Sequence, residues 1–317
     1  MQMSQEILRL EHISKEFEEK DRSKLKAVTD VSLGMAKREC LGIVGESGCG
    51  KSTLAKLVTF IEPPTDGKIY FNGEDVTNIK GYELRAYRRE VQIIFQNPSN
   101  VFSPRMKIGQ FLMEPWIHFE KLSKKAAKEQ AYYALDRVRL SRDYFNKYPH
   151  QLSGGELQRI AIARAIALHP QLLICDEATS ALDVSIQKQI IDLLREHQEE
   201  ADFSILFISH DLALAENFCN RVAVMYLGRI VEVMNGKALR KNAKHPYAKA
   251  LLESVFSVRD DPDEKIKILQ GEPPSPINLP EGCVFCGRCQ YATEQCRQKQ
   301  PELRDLGGGH LLACYRE

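Results

Sequence analysis

No stretch of this chain approaches the ~20 consecutive apolar residues that a membrane-crossing helix needs, so none of its helices is expected to span a bilayer. The opening segment, Met1 to Leu10, has neither a basic stretch nor an apolar core. It does not read as a secretory leader, and a reducing, cytosolic setting is expected. Neither sign of charge dominates, with 44 Lys and Arg against 43 Asp and Glu. That balance removes the global field that would steer the chain to nucleic acid or anionic lipid. The one basic cluster, Lys121 to Lys128, alternates with apolar positions and reads as the solvated face of a helix. No segment repeats, so each motif below occurs once.

Cysteine is the residue in excess. There are nine, and where thiols are kept reduced a disulfide framework is not their use. Cys40, Cys49, Cys175 and Cys219 are scattered, whereas Cys283, Cys286, Cys289, Cys296 and Cys314 crowd into the last 35 residues. That asymmetry marks the C-terminal stretch as a module with its own chemistry.

The first 75 residues alternate short apolar runs with polar turns: Ile7 to Ile13, Ala27 to Met35, Cys40 to Val44 and Lys68 to Phe71, then a hairpin signal at Asn72-Gly73. A helix is predicted right after Gly50, with Leu54, Leu57, Val58 and Ile61 on one face, stopping before Pro63-Pro64. Between Gln96 and His150 the texture becomes helical. Ser123 reads as an N-cap, and Ala127, Ala131, Ala134, Leu135 and Val138 follow helical spacing. A second helix carries Leu157, Ile160, Ala161, Ala165 and Leu168. Two all-apolar strands, Leu172 to Cys175 and Ser204 to Ile208, flank a helix from Val184 to Glu199, a texture proper to a parallel sheet covered on both faces. Arg221 to Tyr226 and Arg229 to Val233 form a further strand pair, broken by Leu227-Gly228. Past Gly236 regular structure is expected to give way, and Gly271-Glu272-Pro273-Pro274-Ser275-Pro276 reads as an extended connector.

Gly45-Glu46-Ser47-Gly48-Cys49-Gly50-Lys51-Ser52 fits the phosphate-loop pattern in full, between an apolar strand and a helix. Glycines let backbone N–H groups converge on phosphate oxygens, and the helix N-terminus adds its positive end. Lys51 would reach the β- and γ-phosphates, and Ser52 would offer a hydroxyl to Mg²⁺. Leu172 to Glu177 supplies the acidic partner at a strand end: Asp176 for the Mg²⁺ shell, Glu177 to polarise the attacking water.

Leu152-Ser153-Gly154-Gly155-Glu156-Leu157-Gln158-Arg159 narrows the choice. A serine and two glycines opening a helix make a second anion site, and Ser153 with Glu156 also forms a capping-box pattern. This segment resembles the signature sequence of ABC ATPases, and the other motifs follow in that family's order. Gln96 resembles the glutamine-loop residue at Mg²⁺ and water. Ser180-Ala181-Leu182-Asp183 resembles the loop that crosses the dimer seam. His210 resembles the switch histidine that senses the γ-phosphate, and Phe17 the aromatic that stacks on adenine. The resemblance implies an α/β fold: a phosphate-loop nucleotide-binding domain over residues 1–236, with an antiparallel β subdomain and a helical subdomain at about 97–155. It implies a catalytic set of Glu177, His210 and Gln96. ATP contacts would come from Phe17, Gly45, Ser47, Gly48, Cys49, Gly50, Lys51, Ser52 and Thr53, with Gln96, Asp176, Ser153, Gly154, Gly155 and Asp183, and Mg²⁺ ligands from Ser52, Gln96 and Asp176.

The stretch 237–317 is similar to the C-terminal extension of oligopeptide and dipeptide importer ATPases. His245-Pro246-Tyr247, Gly271 to Pro276, Gly282-Cys283 and Arg288-Cys289 carry that likeness, as does the Val44 to Ser52 form of the phosphate loop. It implies a second ATPase subunit, two permease chains and, indirectly, an extracytoplasmic binding protein, with the chain at the cytoplasmic face of the membrane and no nucleic acid partner. The segment from Asn97 to Trp116, notably Pro98, Pro104, Met106, Phe111 and Trp116, would line the groove for a permease helix, or else be core. In the tail, Cys283, Cys289, Cys296 and Cys314 match the extension's cysteines, and some members carry an iron–sulfur cluster there. Cys283-x₂-Cys286-x₂-Cys289 independently has the tight spacing of [4Fe–4S] ligation. Cys286 departs from the extension's pattern, which leaves the choice of four ligands from five open. Zinc, or unligated thiols, are the alternatives. The other class of reading, a soluble ABC ATPase acting on nucleic acid or ribosomes, would want two cassettes or a long coiled-coil insertion, and neither is in the sequence.

Overall fold

The computed structural model describes residues 6–18, 22–179, 182–254, 271, 274–277 and 279–316. In chain order the strands are β1 (Glu6–Glu18), β2 (Lys24–Ala36), β3 (Cys40–Val44), β4 (Asp66–Phe71), β5 (Glu74–Asp75), β6 (Val91–Ile94), β7 (Leu172–Asp176), β8 (Ser204–Ser209), β9 (Arg221–Tyr226), β10 (Arg229–Asn235), β11 (Arg304–Asp305) and β12 (Leu311–Leu312). The helices are α1 (Lys51–Val58), α2 (Gly81–Glu90), α3 (Ile108–His118), α4 (Lys124–Arg137), α5 (Gly154–Ile166), α6 (Val184–Ala201), α7 (Leu212–Phe218), α8 (Leu239–Asn242), α9 (Pro246–Glu253) and α10 (Glu294–Gln298). The chain folds as two compact units, one of residues up to 77 with 207 onward, the other of 78–206. Among the described residues no helix is long and apolar enough to cross a membrane.

In the first unit, β1 pairs antiparallel with β2 and β4, and β4 turns into β5. The connecting Asn72 and Gly73 both have positive φ, 51° and 86°. That is the geometry that a two-residue turn needs to match strand twist, and Asn-Gly tolerates it. The unit's other sheet runs β11-β12-β10-β9-β3. β3 is buried at every position and parallel to β9, as its unbroken apolar run requires. The tail does not leave the regular core: Leu311 and Leu312 of β12 pair with Val233 and Glu232 of β10. α1 ends at Val58, so Ile61, expected on its buried face, is 45% exposed. Leu54, Leu57 and Val58 do face the core.

In the second unit β6 and β7 are parallel, Val91 opposite Leu172 and Ile94 opposite Cys175. Ser123 caps α4, its Oγ accepting from the Ala126 N–H at 3.3 Å. Ala127, Ala131, Ala134 and Leu135 then form the helix's buried stripe, while Lys124, Lys125 and Lys128 are exposed. Phe111 of α3 is core, its ring 4.3 Å from that of Phe102. It therefore cannot line an open groove, nor can the buried Pro98, whereas Pro104 is exposed and Met106 and Trp116 are half-buried. α5 is buried on more than one face. Ile162, Ala163 and Gln158 are inside beside Leu157 and Ile160, and Ala161 is half-buried.

Candidate nucleotide site and a cysteine-lined hollow

The phosphate loop joins β3 to α1. Gly50, the N-cap of α1, has φ 106° and no side chain caps the helix start among the described residues. A Cβ at Gly50 would overlap the Ala27 carbonyl oxygen and come within 2.9 Å of the Met225 methyl, so only glycine fits. The loop is held from outside by the Gly228 N–H, which donates to the Cys49 carbonyl at 2.8 Å. Lys51 is 4% exposed, and its Nζ donates to the carbonyls of Gly45 and Glu46 at 2.8 and 2.9 Å. The Lys51 ammonium thus stays on the loop's own carbonyl oxygens. Burial pushes the Cys49 thiol pKa up, against the pull of Lys51.

His210 follows β8 and is exposed. The next residue, Asp211, caps α7, with Oδ1 accepting from Leu214 N–H at 3.0 Å. Phe17 is half-buried near the end of β1, with the Lys15 ammonium 4.9 Å over its ring. It is not a core residue.

In the second unit β7 delivers Asp176, 6% exposed, and directly after it Glu177. Glu177 has φ 48°, a left-handed conformation that a glutamate adopts at a cost of about 1–3 kcal/mol. Gln96, two residues past β6, donates from Nε2 to Glu177 Oε2 at 2.8 Å. The parallel pairing of β6 with β7 sets both residues at the same strand ends, which is why positions so distant in sequence meet. The helix start of α5 is built differently from that of α1. Ser153 Oγ accepts from Glu156 N–H at 3.4 Å, while Glu156 Oε2 takes the Ser153 N–H at 2.7 Å and its hydroxyl at 2.8 Å. Tyr144 donates its hydroxyl to the same carboxylate, and these bonds, Tyr144's first, hold the Glu156 pKa below the usual range. A Cβ at Gly154 would meet nothing within 4 Å, whereas at Gly155 it would touch Ile186 at 3.0 Å. Asp183 is exposed at the start of α6. Ser180 and Ala181 of the same loop lie outside the described residues, as do Glu272 and Pro273 of the connector.

All five tail cysteines line one hollow of about 420 Å³ with His245, Phe285, Tyr291 and Tyr315. None is in a disulfide. Cys283, Cys289 and Cys314 each accept a backbone N–H from the residue two positions on (Phe285, Tyr291 and Arg316), which opposes the rise in thiol pKa caused by burial. For Cys283 burial wins and pushes the pKa up to about 12. Among the described residues no three His, Cys, Asp or Glu side chains are drawn together tightly enough to hold a single ion.

Sequence reasoning missed the residues that join this tail to the phosphate loop. Tyr247 Oη accepts the Glu46 N–H at 2.8 Å, and Arg288 holds the Glu46 carboxylate at 2.7 and 3.1 Å. The His-Pro-Tyr and Arg-Cys strings drew notice, but nothing in them says which residue they touch.

Comparison with known proteins agrees with this geometry. Residues 28–180 match the family described as ABC transporter, and residues 231–296 match the oligopeptide/dipeptide transporter C-terminal region. A Brucella ovis protein with the provisional name peptide import ATP-binding protein is 43% identical, over 98% of each chain. The dipeptide transport ATP-binding protein DppF of Escherichia coli is 44% identical, over 92% of this chain and 87% of its own. Among solved structures, the ATP-binding cassette MJ0796, a dimer in a post-hydrolysis state bound to ADP and Pi, superposes with TM-score 0.67 at 27% identity. That match covers 72% of this chain and 98% of the other.

Proposed function

Since the chain belongs to the ATP-binding proteins of ABC transporters, we propose that it is the ATP-hydrolysing subunit of a multi-subunit importer of di- or oligopeptides. Residues 1–236 are the cassette and 237–317 the extension. The observation that carries hydrolysis is the Gln96–Glu177 hydrogen bond at the end of the buried strand that presents Asp176. The peptide reading is supported by the two dedicated relatives and by the C-terminal family match.

In this mechanism Phe17 stacks on adenine. Gly45, Ser47, Gly48, Cys49, Gly50, Lys51, Ser52 and Thr53 take the phosphates, and Ser52, Gln96 and Asp176 hold Mg²⁺. Glu177 orients and polarises the attacking water and His210 contacts the γ-phosphate. Ser153, Gly154 and Gly155, with Asp183, act on the nucleotide of a second subunit, identical or homologous. Two permease chains receive the motion at the cytoplasmic face of the membrane, and an external binding protein delivers the peptide. Glu177→Gln is the test. It should bind Mg-ATP as the unchanged chain does, lose about 10²–10⁴-fold in turnover and accumulate as closed dimers in gel filtration. Turnover within a factor of a few of the unchanged chain would remove Glu177 from this role.

The hollow is further read as the seat of a [4Fe–4S] cluster on four of Cys283, Cys286, Cys289, Cys296 and Cys314. Its size and the N–H groups aimed at three sulfurs suit a bulky thiolate-bound cluster better than zinc, whose ligands crowd at about 2.3 Å around one point. A bound cluster would supply a redox-active, oxygen-sensitive group. Anaerobic purification with an absorption spectrum and iron, sulfide and zinc analysis decides between the two metals and free thiols.

A further inference from the structure

Glu46, the second residue of the phosphate loop, is gripped at each of its polar groups. Its N–H donates to Tyr247 Oη at 2.8 Å, and its carbonyl accepts from Lys51 Nζ at 2.9 Å. Its carboxylate meets the Arg288 guanidinium fork to fork at 2.7 and 3.1 Å. Arg288, 6% exposed at the side chain, also donates to Tyr226 Oη at 3.4 Å. Beneath them Tyr226, Tyr247 and Phe285 pack ring to ring, with centroids 4.6, 5.3 and 5.5 Å apart. Tyr247 is fully buried and Phe285 nearly so, so neither side chain can swing away without opening the packing.

Two consequences bear on ATP. A loop that binds polyphosphate has a carboxylate in it, and a negative charge there repels the ligand. Arg288 neutralises that charge at hydrogen-bond distance. The loop must also hold its backbone in one turn to offer N–H groups to phosphate, and Tyr247 Oη, accepting the Glu46 N–H, fixes one point of that turn. We propose that Arg288 and Tyr247 of the C-terminal region are positioning residues for ATP, acting through Glu46. This rests on the reading of Gly45 to Ser52 as the ATP site. Arg288 stands between Cys286 and Cys289, which both line the hollow, so it links the phosphate loop to the cysteine module.

The test measures Mg-ATP affinity of the full chain by equilibrium titration, and KM and kcat of the assembled transporter in vesicles. Arg288→Met is expected to raise the ATP Kd and KM about tenfold, the loss typical of a charge-assisted hydrogen bond, with kcat at saturating ATP unchanged. Arg288→Lys should keep most of the affinity. Adding Glu46→Gln to Arg288→Met should return the Kd to within about threefold of the unchanged chain, because the uncompensated charge is gone. A role confined to docking the tail predicts no such recovery. Tyr247→Phe removes one oxygen from an otherwise intact ring cluster and serves if Arg288→Met does not fold. It should raise the Kd several-fold with the melting temperature nearly unchanged. The proposal is overturned if Arg288→Met binds Mg-ATP like the unchanged chain, if Glu46→Gln recovers nothing, or if Tyr247→Phe is silent. Failure of the site reading itself looks different: the unchanged chain would not bind Mg-ATP at all.

Discussion

In the proposed mechanism the helix starts of α1 and α5 have the same formal duty, to offer N–H groups to a phosphate, and they are built in opposite ways. α1 begins at a left-handed Gly50 with no side-chain cap, while α5 begins at Ser153 with a complete capping box that Tyr144 reinforces. The glycines differ too. Gly50 is glycine because the Ala27 carbonyl and Met225 leave no room for a Cβ, whereas the space around Gly154 is empty. Under that proposal, a helix end that binds its own chain's nucleotide is satisfied by the phosphate, with Lys51 meanwhile bonded to the loop carbonyls of Gly45 and Glu46. One proposed to serve a neighbouring subunit would stand alone until the subunits close, and the Glu156 carboxylate keeps it ordered. The empty space at Gly154 is then read as room for a ligand, not a packing need.

Three substitutions would break or sharpen this contrast. The largest effect belongs to Gly50→Ala, which forces a Cβ against backbone. Mg-ATP binding should fall by more than about 100-fold, with stability lowered by several kcal/mol, as titration and denaturant unfolding would show. Normal binding would mean that the loop relaxes freely. Gly154→Ala should leave the melting temperature and single-chain ATP affinity unchanged, since it meets no atom. Turnover of the assembled transporter should drop by about 10²–10³-fold, as when a preorganised donor site is lost. Full turnover would show that the α5 start does not approach phosphate. The smallest effect is that of Ser153→Ala, about 1 kcal/mol of stability from the lost cap. It has a pH signature. The Glu156 pKa is depressed in the folded chain, so its contribution is present above the unfolded value near 4.5 and is lost as pH falls below it. Ser153→Ala should shrink that acid-side loss, measured by unfolding between about pH 3 and 6.

The motifs made most of the candidate nucleotide site legible because each is local. The phosphate loop needs a strand, glycines and a helix start within about a dozen residues, and that pattern is written contiguously. Glu177 and Gln96 were legible for another reason: each follows closely after a strand, and parallel strands in one sheet bring their ends together. Where local signals compete, reading falters. Helical spacing carried Ile61 onto α1, but the helix stops at Val58 and leaves it exposed. Phe111 and Pro98 had the composition of a docking groove and the burial of a core.

What the sequence by itself determined is the chemistry of both helix starts, one glycine-rich and followed by Lys51, the other opened by Ser153 with Glu156 three residues on. Adjacent residues encode backbone conformation and capping, and these need no distant partner. The tertiary structure alone decided what surrounds them. The grip of Arg288 on Glu46 spans 242 positions, and Cys314, just past β12, joins Cys283, Cys286, Cys289 and Cys296 around one hollow as β12 returns to pair with β10. Such contacts are set by packing between segments, and no spacing along a chain records them.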